Sequence, residues 1–241
     1  MHIGILLCDH VGEKFIAEHG QYPDMVAKLL HQADPTLTFS VYEVKQDKFP
    51  SDIDEADAYL ISGSRHGVND GLPWISNLEH FILRLHNAQK KVIGICFGHQ
   101  LIAKALGGKV VVAAKGWGIG MSINKITQQK PWMFPQQNDL NLLVSHQEQV
   151  VELPIGAEVL AHSEFCPFYM LQISNHLLTV QGHPEFSKAY SQALMEDRKD
   201  ILGEKLSEQG IESLHLKVDD NLFAQWIVNF LYSKSNENQT F

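Results

Sequence analysis

The sequence predicts an α/β fold, a mostly parallel sheet with helices on both faces, and three observations predict it. Short apolar runs alternate with segments of helical periodicity through residue 108. Two of those runs end in glycine-rich turns, Gly63-Ser64-Arg65-His66-Gly67 and Gly94-Ile95-Cys96-Phe97-Gly98, at strand ends where such sheets gather ligands. The chain has 241 residues, 44% of them apolar, enough to bury one large core.

The elements follow in order. Residues 3–8 are an apolar run closed by Asp9 and His10, the pattern of a parallel strand buried on both faces. Residues 24–32 read as a helix with Pro23 near its start. Residues 37–42 form a second strand, the polar stretch 45–57 a solvated loop, and 58–62 a third strand. A helix over 75–85 precedes the strand 92–95, and helical periodicity resumes over 101–106. Beyond residue 108 the runs 109–112, 118–126, 140–144, 158–162, 170–173 and 177–180 are short and separated by turn residues. They are expected to be strands, some of them antiparallel. Two helical stretches, 187–206 and 221–232, close the pattern before a polar tail, 233–241, expected to fray. With no internal repeat and no linker, one domain over 1–241 is expected: a flavodoxin-like three-layer sandwich with a smaller antiparallel strand group.

Composition removes several function classes. Nineteen Lys and Arg against 28 Asp and Glu leave a formal charge of −9, and the cations are scattered, so no nucleic-acid partner is expected. Three cysteines, Cys8, Cys96 and Cys166, make no disulfide framework. The run 3–8 is too short for a signal peptide or a membrane span, so a cytoplasmic protein with no membrane partner is expected. Thirteen histidines come without HExxH, CxxC or paired helical spacing, so neither a metal nor a cofactor is expected.

Candidate chemistry centres on Gly94-Ile95-Cys96-Phe97-Gly98-His99-Gln100. Strand, sharp turn and helix, with a nucleophile between two glycines, make the thiol version of a nucleophile elbow. The glycines keep the turn free of colliding side chains, and the helix start turns N–H groups toward Cys96, which favours a thiolate. A thiol needs a base, and the base an orienting group. Gln181-Gly182-His183-Pro184-Glu185 follows the strand 177–180. In extended geometry His183 and Glu185 share a face and Pro184 turns away, so Glu185 accepts from one ring nitrogen while the other faces Cys96. The reading is a Cys-His-Glu triad. Cys8 and Cys166, in apolar surroundings, read as core.

These motifs resemble those of the class I glutamine amidotransferase family, and the resemblance runs from residue 3 to about residue 231. GICFGHQ (94–100) and GHPE (182–185) carry it most strongly; Ile61-Ser62-Gly63-Ser64 resembles the family's oxyanion loop and Ser145-His146-Gln147 its substrate-edge segment. The resemblance implies that Cys96 attacks the side-chain amide of glutamine, forms a glutamyl thioester and releases ammonia. His183 is then general base and acid, and Glu185 its orienter. It places the oxyanion-hole N–H groups at Phe97 and Ser64, where a serine replaces the usual second glycine. It assigns substrate contacts to Gly63, Gln100, Ser145 and His146, although Gln147 departs from the glycine some members carry. His99, on the helix after the nucleophile, is expected to point away and be structural.

The leaving amine stays open. No synthetase domain fits in the chain, so either a separate synthetase subunit receives ammonia or the enzyme hydrolyses alone. The loop 61–66 and the elbow are similar to a stand-alone branch that includes plant γ-glutamyl peptidases. Tyr22 lies on a segment expected at the active-site rim, where it contacts substrate or packs against the following helix. Arg65 and His66 either meet a carboxylate beyond the γ-glutamyl group or belong to a solvated loop. The apolar patch 130–135 is a lid, a docking surface, or a segment buried under the C-terminal helices. A non-catalytic regulatory subunit is the alternative from another class; the complete triad speaks against it.

Overall fold

The computed structural model describes residues 1–233. The expected tail lies, beyond Ser233, outside the described residues. In chain order the first elements are β1 (His2–Leu6), α1 (Glu13–His19), α2 (Tyr22–His31), β2 (Thr38–Tyr42), β3 (Ala58–Ile61), α3 (Pro73–Asn87), β4 (Lys91–Ile95) and α4 (Phe97–Ala105). There follow the strands β5 (Lys109–Val112), β6 (Gly118–Ile126), β7 (Asp139–His146), β8 (Glu148–Glu152), β9 (Ala157–His162), β10 (Met170–Ile173) and β11 (Leu177–Val180). The helices α5 (Lys188–Asp197), α6 (Lys199–Leu202), α7 (Glu204–Ser213) and α8 (Asp220–Tyr232) complete the set.

Among the described residues nine strands form one sheet in the order β2-β1-β3-β4-β11-β10-β9-β6-β7. The first five are parallel, the order of a flavodoxin-like sheet. The last four continue it antiparallel, and β5 pairs with β8 in a separate ribbon. Alternate residues of the parallel strands feed two cores. Ile3, Ile5, Leu60, Ile93 and Ile95 pack with Val26 and Leu30 of α2 and with Phe223, Trp226 and Ile227 of α8. On the other face Leu6, Tyr59, Ile61 and Val92 pack with Leu78 and Ile82 of α3 and Leu101 of α4. Both faces being covered is why these strands read as unbroken apolar runs.

Several expectations need correction. The segment after β1 contains a helix, α1, that buries no residue and so carries no apolar stripe to read. The stretch 187–206 is three pieces rather than one helix: Arg198 leaves helical geometry at ψ 13°, and Gly203 sits at φ 80°, a left-handed conformation that glycine adopts without a Cβ penalty. Strand β8 was not expected, and the loop 45–57 holds two single 3₁₀ turns, Val44–Gln46 and Ile53–Glu55. Helix α2 starts at Tyr22, where Gln21 and Asp24 form a reciprocal cap. No helix of the described residues is long and apolar enough to cross a membrane.

Candidate active site

The turn after β4 is built for close approach. Cys96 adopts φ 50°, ψ −98°, a strained conformation for a non-glycine residue that costs about 1–3 kcal/mol and clusters at functional sites. A Cβ at Gly98 would stand 2.5 Å from the Ile61 carbonyl oxygen, and one at Gly94 would stand 2.8 Å from the Gly98 carbonyl. Neither position has room for a side chain, so the glycines let strand, turn and helix touch. The Cys96 N–H donates to the Val180 carbonyl at 2.9 Å, which ties the turn to β11. The first turn of α4 begins at Phe97, directly after the sulfur.

His183 leaves β11 and crosses to β7, where its N–H donates to the Leu143 carbonyl at 2.7 Å. Its Nδ1 lies 2.7 Å from Glu185 Oε1, so Nε2 is the nitrogen left for the sulfur. Phe186 stacks on the imidazole, ring centroids 3.9 Å apart, and Tyr22 stacks on Phe186. Burial by itself would drive His183 toward its neutral form. The Glu185 carboxylate and the Cys96 sulfur outweigh it and raise the imidazole to about 10, so His183 is an imidazolium at neutral pH. A Cβ on Gly63 would stand 2.8 Å from His183 Cε1 and 3.8 Å from Cys96 Cβ, so the glycine loop closes directly on both side chains. Glu185 Oε2 is buried with no partner among the described residues.

Cys96, His183, Gly63, Ser64, Gln100, Ser145, His146 and Tyr22 line one cleft of about 720 Å³. Glu185 and Phe97 do not line the cleft: Glu185 is buried against His183, and the Phe97 side chain is buried against Trp74. Among the described residues the N–H groups of Ser64 and Phe97 have no backbone acceptor. Gln100 donates both to the Glu148 carbonyl, at 2.7 Å, and to Gln181 Oε1, at 3.0 Å, and Gln181 in turn donates to Cys96 Sγ at 3.5 Å. Gln181 was not singled out from the sequence, although it opens the GHPE motif one residue upstream. His146 is buried; burial first, then the nearby His183 and His99, pull it down to about 3, so it is neutral. Ser145 accepts from Arg198 Nη1 at 2.9 Å. Arg198 is a cleft residue that local sequence did not mark, placed by the break between α5 and α6.

The open alternatives resolve as follows. Tyr22 both lines the cleft and packs: its hydroxyl lies 3.2 Å from that of Tyr190. Arg65 and His66 both line the cleft, Arg65 bonded to Asp9 through Nε at 2.6 Å and to the His10 carbonyl, and His66 lying 3.3 Å from Asp70. In the patch 130–135, Trp132 and Met133 are buried under α8, whose Asn229 donates to the Trp132 and Phe134 carbonyls, while Pro131, Phe134 and Pro135 are exposed. His99 bonds Thr179 at 2.8 Å and is structural. Cys8 and Cys166 are buried, and burial pushes both thiols well up, Cys166 to about 12.

Residues 19–199 match the family model described as glutamine amidotransferase class-I. A glutamine amidotransferase-like protein of Schizosaccharomyces pombe is 29% identical over 95% of this chain and 98% of its own. Gamma-glutamyl peptidase 3 of Arabidopsis thaliana is 36% identical over 71% of each chain. Among solved structures, a glutamine amidotransferase of Thermotoga maritima superposes with a TM-score of 0.75 over 97% of this chain and all of that one, at 18% identity.

Proposed function

This chain belongs to the class I glutamine amidotransferase family, and from that premise we propose that it is a thiol hydrolase of γ-glutamyl amide bonds working through Cys96, His183 and Glu185. Cys96 attacks the γ-carbonyl carbon as the thiolate partner of the His183 imidazolium, and the carbonyl oxygen becomes an oxyanion held by the Ser64 and Phe97 N–H groups. His183 gives its Nε2 proton to the leaving nitrogen as the C–N bond breaks, leaving a glutamyl thioester. It then takes a proton from water, which attacks the thioester, and the sulfur leaves as thiolate, restoring the thiolate–imidazolium pair and releasing glutamate. Glu185 keeps Nε2 toward the sulfur and stabilises the imidazolium. Each oxyanion donor is worth about 2.7–4 kcal/mol in such chemistry. Gln100, Gly63, Ser145, His146 and Tyr22 hold the glutamyl end.

The observation that carries this reading is the 2.7 Å His183–Glu185 pair set beside a thiol in a strained strand-to-helix turn. A binding subunit without catalysis has no need of a strained cysteine and a paired imidazolium in one cleft. Glutamine is the smallest substrate of the class, and a separate synthetase subunit is then the ammonia acceptor. A second reading, a γ-glutamyl peptidase, is favoured by the cleft itself. It runs on past the Cys96 neighbourhood to Val112, Trp117 and Ile201, room for a leaving amine larger than ammonia. The three free cysteines suit the reducing cytoplasm. The test assays ammonia release from glutamine and glutamate release from glutathione, with purified protein and its Cys96→Ala variant. The expected result is turnover of at least one substrate and a loss of about 10⁴-fold or more in the variant. Silence of the unmodified protein on both, or an active Cys96→Ala, rejects it.

A further inference from the structure

We propose that Asp9 is a positioning residue for the oxyanion hole, its carboxylate fixing the Ser64–Arg65 peptide against Cys96 and His183. The inference rests on the hydrolase reading above. Asp9 follows β1 where that strand runs beside β3, so it meets the loop leaving β3 across a short gap. It is only 3% exposed, and both its oxygens are engaged. Oδ1 accepts from Lys45 Nζ at 2.9 Å; Oδ2 accepts from the Arg65 backbone N–H at 3.1 Å and from Arg65 Nε at 2.6 Å. Burial would favour the neutral acid, but Lys45 and Arg65 more than offset it and hold the carboxyl below its usual range. The group at that position is therefore an anion with fixed donors.

The consequence lies one peptide away. The Arg65 N–H lies in the peptide plane of the Ser64 carbonyl, so fixing it anchors Ser64 Cα and leaves only the Ser64 φ and ψ between that anchor and the Ser64 N–H. The same loop is stapled to the segment that leaves β1 twice more: Cys8 N–H donates to Ser62 Oγ at 2.9 Å, and Ser64 Oγ donates to the Cys8 carbonyl at 3.3 Å. On its inner side the loop has no slack, because Gly63 lies against His183 with no room for a methyl. A shift of a few tenths of an ångström at Arg65 is passed to the donor. For fold stability alone, an apolar residue would serve as well as a buried ion pair. The directed bonds from one carboxylate to a backbone amide and its own side chain answer to placement instead.

Asp9→Asn and Lys45→Met are compared with unmodified protein in kcat and KM on its best γ-glutamyl substrate. Each is also compared in the rate of Cys96 alkylation by iodoacetamide. Alkylation at a saturated carbon builds no oxyanion, so it reports the thiol and His183 without the loop. Asp9→Asn is expected to lower kcat about 10–100-fold, short of the 10²–10³ of a deleted donor. KM and alkylation should stay within about twofold. Lys45→Met, which keeps the Arg65 bonds but frees Oδ1, is expected to lower kcat by a smaller factor and decides the matter if Asp9→Asn fails to fold. Unchanged kcat in the folded variants, or alkylation falling in step with kcat, overturns the inference while leaving the hydrolase reading in place. An unmodified protein inactive on every γ-glutamyl substrate overturns the hydrolase reading itself, and this inference with it.

Discussion

The parallel half of the sheet and its antiparallel extension meet the cleft in different ways. In the parallel half every strand ends at the same edge, so β3, β4 and β11 deliver the Gly63 loop, Cys96 and His183 to one place by topology alone. In the extension directions alternate, so only every second strand points its carboxyl end to that edge; β7 does, bringing Ser145 and His146. Two buried histidines display the contrast. His183, at the end of the parallel half, meets a carboxylate and a thiol and is charged. His146, at the end of β7, has the imidazoles of His183 and His99 nearby and no carboxylate among the causes of its shift, and is neutral. Equal burial with different neighbours yields opposite charge states, so the partner, not the depth, sets the role.

The largest effect that breaks this comparison is expected from Glu185→Gln. It removes the charge that holds His183 protonated and oriented, and kcat should fall about 10²–10⁴-fold with a smaller change in KM. A kcat within tenfold of normal would make Glu185 a structural residue and erase the difference between the two histidines. Next in size, Gly98→Ala should destabilise the protein by about 1–3 kcal/mol in urea titrations. Alanine is normally the better helix residue, but here its Cβ meets a backbone oxygen of β3 that cannot swing away. A stabilised variant would mean that α4 and β3 are not in the close contact described.

A further effect, read per pH unit, concerns stability in acid. His146 and His99 are neutral in the fold, both near 3, and take up protons on unfolding below about 6.5. Stability should therefore fall as pH drops from about 6.5 toward 4. His183 has the opposite sign: raised to about 10, it contributes fully below 6.5, and that contribution fades as pH rises toward 10. His146→Gln should flatten the acid-side loss by about 1.4 kcal/mol per pH unit, one proton's share, read from urea midpoints across pH. An unaltered slope would contradict the neutral His146.

The sequence carried the parallel half well, because residues buried on both faces and forced glycines leave strong local marks: the run 3–8, the elbow around Cys96, and the alternation that puts His183 and Glu185 on one side. It carried less where the cause is distant. Arg65 looked free because its partner, Asp9, lies 56 residues away. Helix α1 was missed because it packs without burying any residue. Gly203 was in plain view, yet a glycine inside a helical pattern announces a break only once its left-handed φ is known. Gln181 reaches the Cys96 sulfur, and Arg198 the cleft, through tertiary contacts that no local spacing records.

The central claim is that the Cys96 sulfur forms a covalent glutamyl intermediate. Rapid acid quenching of the protein with a γ-glutamyl substrate, followed by mass spectrometry of its peptides, tests it directly. The account predicts a glutamyl adduct on the peptide carrying Cys96 and none on those carrying Cys8 or Cys166. Turnover that persists in Cys96→Ala, or an adduct on another residue, would contradict it.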